Sequence, residues 1–162
     1  MAYLIVALSM AAACVMETAW PASLFWGGER PEVLVAAVMS TAVAFGGGLG
    51  LAAGFFAALF RGPMAQEPWG GLFVAYMLVG LASGLVGHRL LVRRALAAAP
   101  GALVAALLFR MALMLFQPPT ALGLWLAGTL HALLYTMVVA VPLHALVLGL
   151  QGGGYQSWTP WR

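Results

Sequence analysis

Gly46-Gly-Gly-Leu-Gly-Leu-Ala-Ala-Gly-Phe-Phe-Ala-Ala-Leu-Phe-Arg-Gly62 sets the terms on which the rest of the chain is read. Gly46, Gly50 and Gly54 recur every four residues, which puts three positions without side chains on one face of a helix. In hydrocarbon, where burial supplies no drive, such a face lets a second backbone approach closely. The same spacing returns at Gly80 and Gly84, with Gly87 one turn on, so two segments carry matching faces and are expected to be neighbours.

Working outward, the chain of 162 residues is 64% hydrophobic and 7% charged, with a mean hydropathy of +1.02. A soluble domain of this size would be roughly half apolar. The composition indicates an all-α integral membrane protein, with one polytopic domain over residues 1–150 and a tail over 151–162. The net charge of +3 rests on seven arginines, and lysine, aspartate and asparagine are absent. Three of those arginines, Arg89, Arg93 and Arg94, share one short loop and anchor the topology, placing that loop and the C-terminus in the cytoplasm. Nucleic acid is not an expected partner. Cys14, the one cysteine, allows no intrachain disulfide and no thiolate metal site. It follows three alanines, but residues 1–16 carry no charge and lack the basic start of a cleaved signal, so a retained helix is expected.

Ala2 to Trp20 is long enough to cross about 30 Å of hydrocarbon. Pro31 to Phe60 is apolar for 30 residues, which as one straight helix would measure about 45 Å. The glycines at 46–50 favour a break into a short hairpin, Pro31–Phe45 and Leu49–Phe60. One strongly tilted helix is the alternative, so six crossings are expected, or five. Glu32 is placed to complement the positive end of the second helix. Arg61 to Gly70 reads as a surface loop, Gly71–Leu91 and Ala102–Phe116 as spans, and Leu122–Leu150 as a last run that Pro142 kinks or ends.

Few groups carry chemistry. Three of the four glutamates lie in or near loops, leaving no carboxylate pair for acid–base work, and no nucleophile, phosphate-loop or metal motif is present. An enzyme, a cofactor or a small-molecule substrate is not expected. His131 and His144 are 13 residues apart, about 20 Å along one helix, and cannot share a metal ion. Arg110 lies inside a hydrophobic run, where an unpaired charge costs at least about 2.5 kcal/mol. A contact with Glu17 is expected, joined by His131 or Tyr135; otherwise Arg110 snorkels to an interface or faces a partner subunit.

Arg30-Pro31-Glu32 before an aliphatic helix, then Gly46, Gly50 and Gly54, then Phe55 to Gly62, Gly70 or Gly71 and Gly80, resembles the rod shape-determining protein MreD family. The resemblance covers nearly the whole chain in length and helix count. It implies a non-catalytic scaffold in the bacterial inner membrane, one that binds MreC and helps couple MreB to the peptidoglycan synthases RodA and penicillin-binding protein 2. The chain departs from the family at Ala58, where an aspartate is usual; Arg61 or Glu67 would have to replace it. A glycine face left free after folding would receive a partner's transmembrane helix. The alternative is the substrate-binding subunit of an energy-coupling-factor vitamin transporter, similar in size and carrying an Ala-x-x-x-Ala spacing like that of Ala7 and Ala11. Such a protein needs convergent polar groups in a closed pocket, and the outer loops offer mainly Arg61, Gln66, Glu67, Trp69 and Gln117.

Overall fold

A computed structural model of the chain describes residues 1–25, 27–65, 67–87 and 98–150. Arg89, Arg93 and Arg94, and the 151–162 tail, lie outside the described residues. Among those described, the structure is an all-α bundle of six helices: α1 (Ala2–Thr18), α2 (Val33–Phe45), α3 (Gly47–Arg61), α4 (Trp69–Ala82), α5 (Ala98–Phe116) and α6 (Leu122–Leu150). A π-helical stretch, Ser83–Gly87, extends α4. Three helices, Trp69–Gly87, α5 and α6, are long and apolar enough to cross a membrane, whereas α1 and α2 are shorter apolar helices.

The centre of the bundle is α2, not the glycine stretch that follows it. Every residue from Val33 to Ala44 is buried, which suits a run with no polar face. It packs against α1, α3, α4, α5 and α6. At 13 residues it is about 20 Å long, and its protein surroundings remove the need to match the lipid thickness.

Residues 31–60 form the hairpin, so the single tilted helix is excluded. The turn is Gly46, with φ 88° and ψ 176°, a conformation essentially confined to glycine. Gly46 therefore lies outside the α3 packing face, and a Cβ there would meet nothing within 4 Å. Gly46→Ala is expected to destabilise the protein by about 1–3 kcal/mol through backbone strain alone, read as a fall in the thermal unfolding midpoint in detergent.

Gly50 and Gly80 face each other, and Gly54 and Gly84 each lie against the backbone of the opposite segment. A Cβ on Gly50 would fall onto the Gly80 carbonyl and 2.6 Å from the Cβ of Ala42; one on Gly54 would lie 2.6 Å from the carbonyl carbon of Tyr76. A Cβ on Gly84 would lie 2.8 Å from the carbonyl carbon of Gly46. Gly87 is buried at the end of the π-helical stretch. The glycine face of α3 is thus filled by α4 of the same chain, and what it receives is not a partner's helix.

Some boundaries move for reasons of packing. Helix α3 begins at Gly47, earlier than propensity suggests, because close helix contact overrides the intrinsic cost of glycine. Arg61 belongs to the last turn of α3 rather than to a surface loop. Pro142 lies inside an uninterrupted α6.

Candidate functional site

The four glutamates of the chain, Glu17, Glu29, Glu32 and Glu67, line one cavity together with Arg30, Arg61 and Arg110. The helix ends explain the convergence. The C-terminal turns of α1 and α3, the N-terminal ends of α2, α4 and α6 and the last turns of α5 all reach the same end of the bundle, away from the Gly46 turn. The cavity measures about 470 Å³, and the rest of its lining, from Phe109 to Trp125, is mostly apolar apart from Gln117 and Thr120.

Two sets of ion pairs organise it. Arg61 contacts Glu17, and its second terminal nitrogen is 4.0 Å from Glu67. Arg110 donates through Nε to Oε1 of Glu32 at 2.6 Å and through Nη2 to Oε2 of Glu29 at 3.1 Å, with Thr129 Oγ1 at 3.4 Å from Nη1. The planar guanidinium suits this use, since its fork meets several acceptors at once. Gly128 on α6 makes room, because a Cβ there would lie 2.6 Å from Oε1 of Glu29.

The start of α2 is capped by other helices. Glu32 occupies its N-cap position but makes no side-chain cap bond; its carboxylate goes to Arg110 instead. The Leu34 N–H donates to Oε2 of Glu17 at 2.8 Å, and the Glu32 N–H to Oγ1 of Thr136 at 2.9 Å. First-turn N–H groups lack partners within their own helix. Here α1 and α6 supply them, and the buried carboxylate of Glu17 also faces the positive end of the helix dipole.

Glu17, Arg110 and His131 are therefore not one constellation. The expected Glu17–Arg110 contact is replaced by Glu17–Arg61 and by Arg110–Glu32 with Glu29, because Arg61 points inward from α3 and takes the α1 carboxylate first. His131 places Nδ1 2.8 Å from the Ala127 carbonyl oxygen of its own helix and packs on Gly27 in the first loop, where a Cβ would lie 2.8 Å from the ring. Tyr135 donates to the Leu24 carbonyl at 2.8 Å and accepts from Trp20 Nε1 at 3.1 Å. His144 is buried without a hydrogen-bond partner among the described residues, as is the Ser40 hydroxyl. Ala58, where the family aspartate would fall, is fully buried.

Sequence reasoning passed over Arg30, Glu29 and Glu32 as site residues and took Arg61 and Glu67 for loop residues. The signal was there in the topology: on a hairpin reading, every glutamate and these arginines fall at or near the same end of their helices. Among the described residues, no group of three His, Cys, Asp or Glu side chains is placed to hold a metal ion. No family model, no curated protein and no solved structure matches this chain.

Proposed function

We propose that this protein is a non-catalytic scaffold of the bacterial cell-elongation machinery in the manner of MreD, seated in the inner membrane with the charged cavity outward and the 88–94 loop inward. Its partner is MreC, and through it or directly MreB, RodA and penicillin-binding protein 2. The observation that carries the reading is the structural use made of the motif behind the resemblance. Gly46 turns the hairpin, Gly50, Gly54 and Gly80 lock α3 to α4, and Glu32 joins the ion pairs. All four carboxylates are paired with arginine, an arrangement that holds helices together. With co-expressed MreC, the native chain is expected to co-purify from detergent as a stoichiometric complex, and its depletion is expected to round rod-shaped cells. A folded native chain that never retains MreC would sink the proposal.

One observation favours a second reading, the ligand-binding subunit of a vitamin transporter. The cavity lies within the size range of small-molecule sites, about 300–1,000 Å³, and its polar lining is far richer than the outer loops alone suggested. A vitamin retained through purification, with no complex formed with MreC, would favour this reading.

A further inference from the structure

Two polar side chains in the body of the bundle have nothing to bond. The Ser40 hydroxyl on α2 and both ring nitrogens of His144 on α6 are without a hydrogen-bond partner among the described residues, and both residues are fully buried. Polar groups buried in folded proteins are almost always satisfied, by protein or by ordered water. Neither residue lines the charged cavity.

Their positions bring them to one place. The Glu32 N–H donates to Thr136 Oγ1, which pins the start of α2 to the middle of α6, and both helices run from there toward the opposite end of the bundle. Ser40 lies eight residues past Glu32, and His144 eight past Thr136, so each has descended by about 12 Å. Their faces agree as well. Ser40 is two residues from Ala42, about 200° around the helix, and Ala42 is the residue set against Gly50 of α3. Ser40 therefore looks away from α3, toward α5 and α6, which pack on α2 and have no substantial contact with α3. On α6, Thr136, Ala140 and His144 form one fully buried stripe, which the Thr136 bond turns toward α2. Helix α5 is the third wall. Over Ala98–Ala106 it buries only alanines, which offer no side-chain donor or acceptor.

We infer that Ser40 and His144 together hold an ordered water molecule between α2, α5 and α6. The two groups meet at one depth and do not bond each other, so a bridging molecule is the means of satisfying both. Water accepts from the N–H of a neutral imidazole while donating to the serine oxygen, and two such partners suffice to hold it. A cation does not suit the site, because residues 33–45, 98–116 and 122–150 contain no carboxylate to neutralise it. The bridge has a use. His144 comes two residues after Pro142, where α6 lacks one backbone hydrogen bond, and the water seats that weakened stretch against the central helix. The inference does not rest on the scaffold proposal and holds for either reading of the cavity.

The test is proton-detected solid-state NMR of the full chain, labelled with 13C and 15N, in a phospholipid bilayer. Magnetisation from water is expected to reach both the His144 imidazole N–H and the Ser40 side chain, and not the fully buried Val35 and Val38. His144→Phe identifies the ring signal by its loss. Ser40→Ala is expected to weaken the transfer to His144 at least fivefold in a protein that still folds. If Ser40→Ala does not fold, the native spectrum decides, since a bridging water must mark both side chains. The inference is overturned if His144 receives no more water magnetisation than Val35, if only one of the two residues is marked, or if the transfer is unchanged in folded Ser40→Ala.

Discussion

Gly80→Leu is expected to leave no folded protein. A Cβ at Gly80 would overlap the Gly50 carbonyl oxygen, at 2.6 Å from the carbonyl carbon and 3.2 Å from the Leu51 nitrogen. Those atoms are backbone, so no rotamer change relieves the clash. The helices would have to separate along the whole α3–α4 contact, lifting Gly54 from Tyr76 and Gly84 from the Gly46 turn. Overpacking of cores costs about 1–3 kcal/mol where side chains can shift; with backbone on both sides, a loss above about 3 kcal/mol is expected, a large part of the 5–15 kcal/mol that holds a typical domain together. Circular dichroism melts and size-exclusion profiles in detergent check it. Gly48→Ala is the control: a Cβ there meets nothing within 4 Å, and the change is expected to be neutral or to stabilise by up to about 1 kcal/mol through helix propensity. A Gly80→Leu protein that melts with the native chain would mean that α3 and α4 do not pack in this register.

Arg110→Leu is expected to cost about 3–5 kcal/mol, the range seen when one member of a buried ion pair is removed. The guanidinium is the ion-pair partner of both Glu29 and Glu32, so its loss strands two carboxylates. Adding Glu32→Gln to Arg110→Leu is expected to recover part of the loss, because the worse placed of the stranded charges disappears. Arg110→Lys is expected to fall between native and leucine, since one ammonium cannot reproduce the fork that reaches both glutamates. The readout is the unfolding midpoint of each purified variant in the same detergent. Equal melting of Arg110→Leu and native protein would show that these carboxylates are solvated without their partner.

The helices were legible because apolar runs of this length leave little choice in a membrane, and the hairpin because glycine at 46–50 interrupts a run too long for one span. Glycine spacing also pointed to the α3–α4 pairing, although Gly46 turns the chain and Gly54 meets the Tyr76 backbone instead of a facing glycine. The partners of the charges were not legible. Glu17 had Arg61 and Arg110 within reach of its end of the bundle, and the choice depends on which helix faces inward at that turn, a property of three-dimensional packing. The centrality of α2 was hidden as well, since an apolar helix reads alike whether lipid or protein surrounds it.

The capping of α2 by its neighbours imposes a schedule on synthesis. When α3 emerges, Arg61 can already close on Glu17, so α1, α2 and α3 have an electrostatic clasp of their own. Glu32 must wait for Arg110, 78 residues later in the chain, an interval of about 4–16 s at 5–20 residues per second. During that interval the N-terminal end of the central helix carries an unneutralised carboxylate in the nascent protein. The first three helices can gather early, but the bundle cannot seal until α5 arrives.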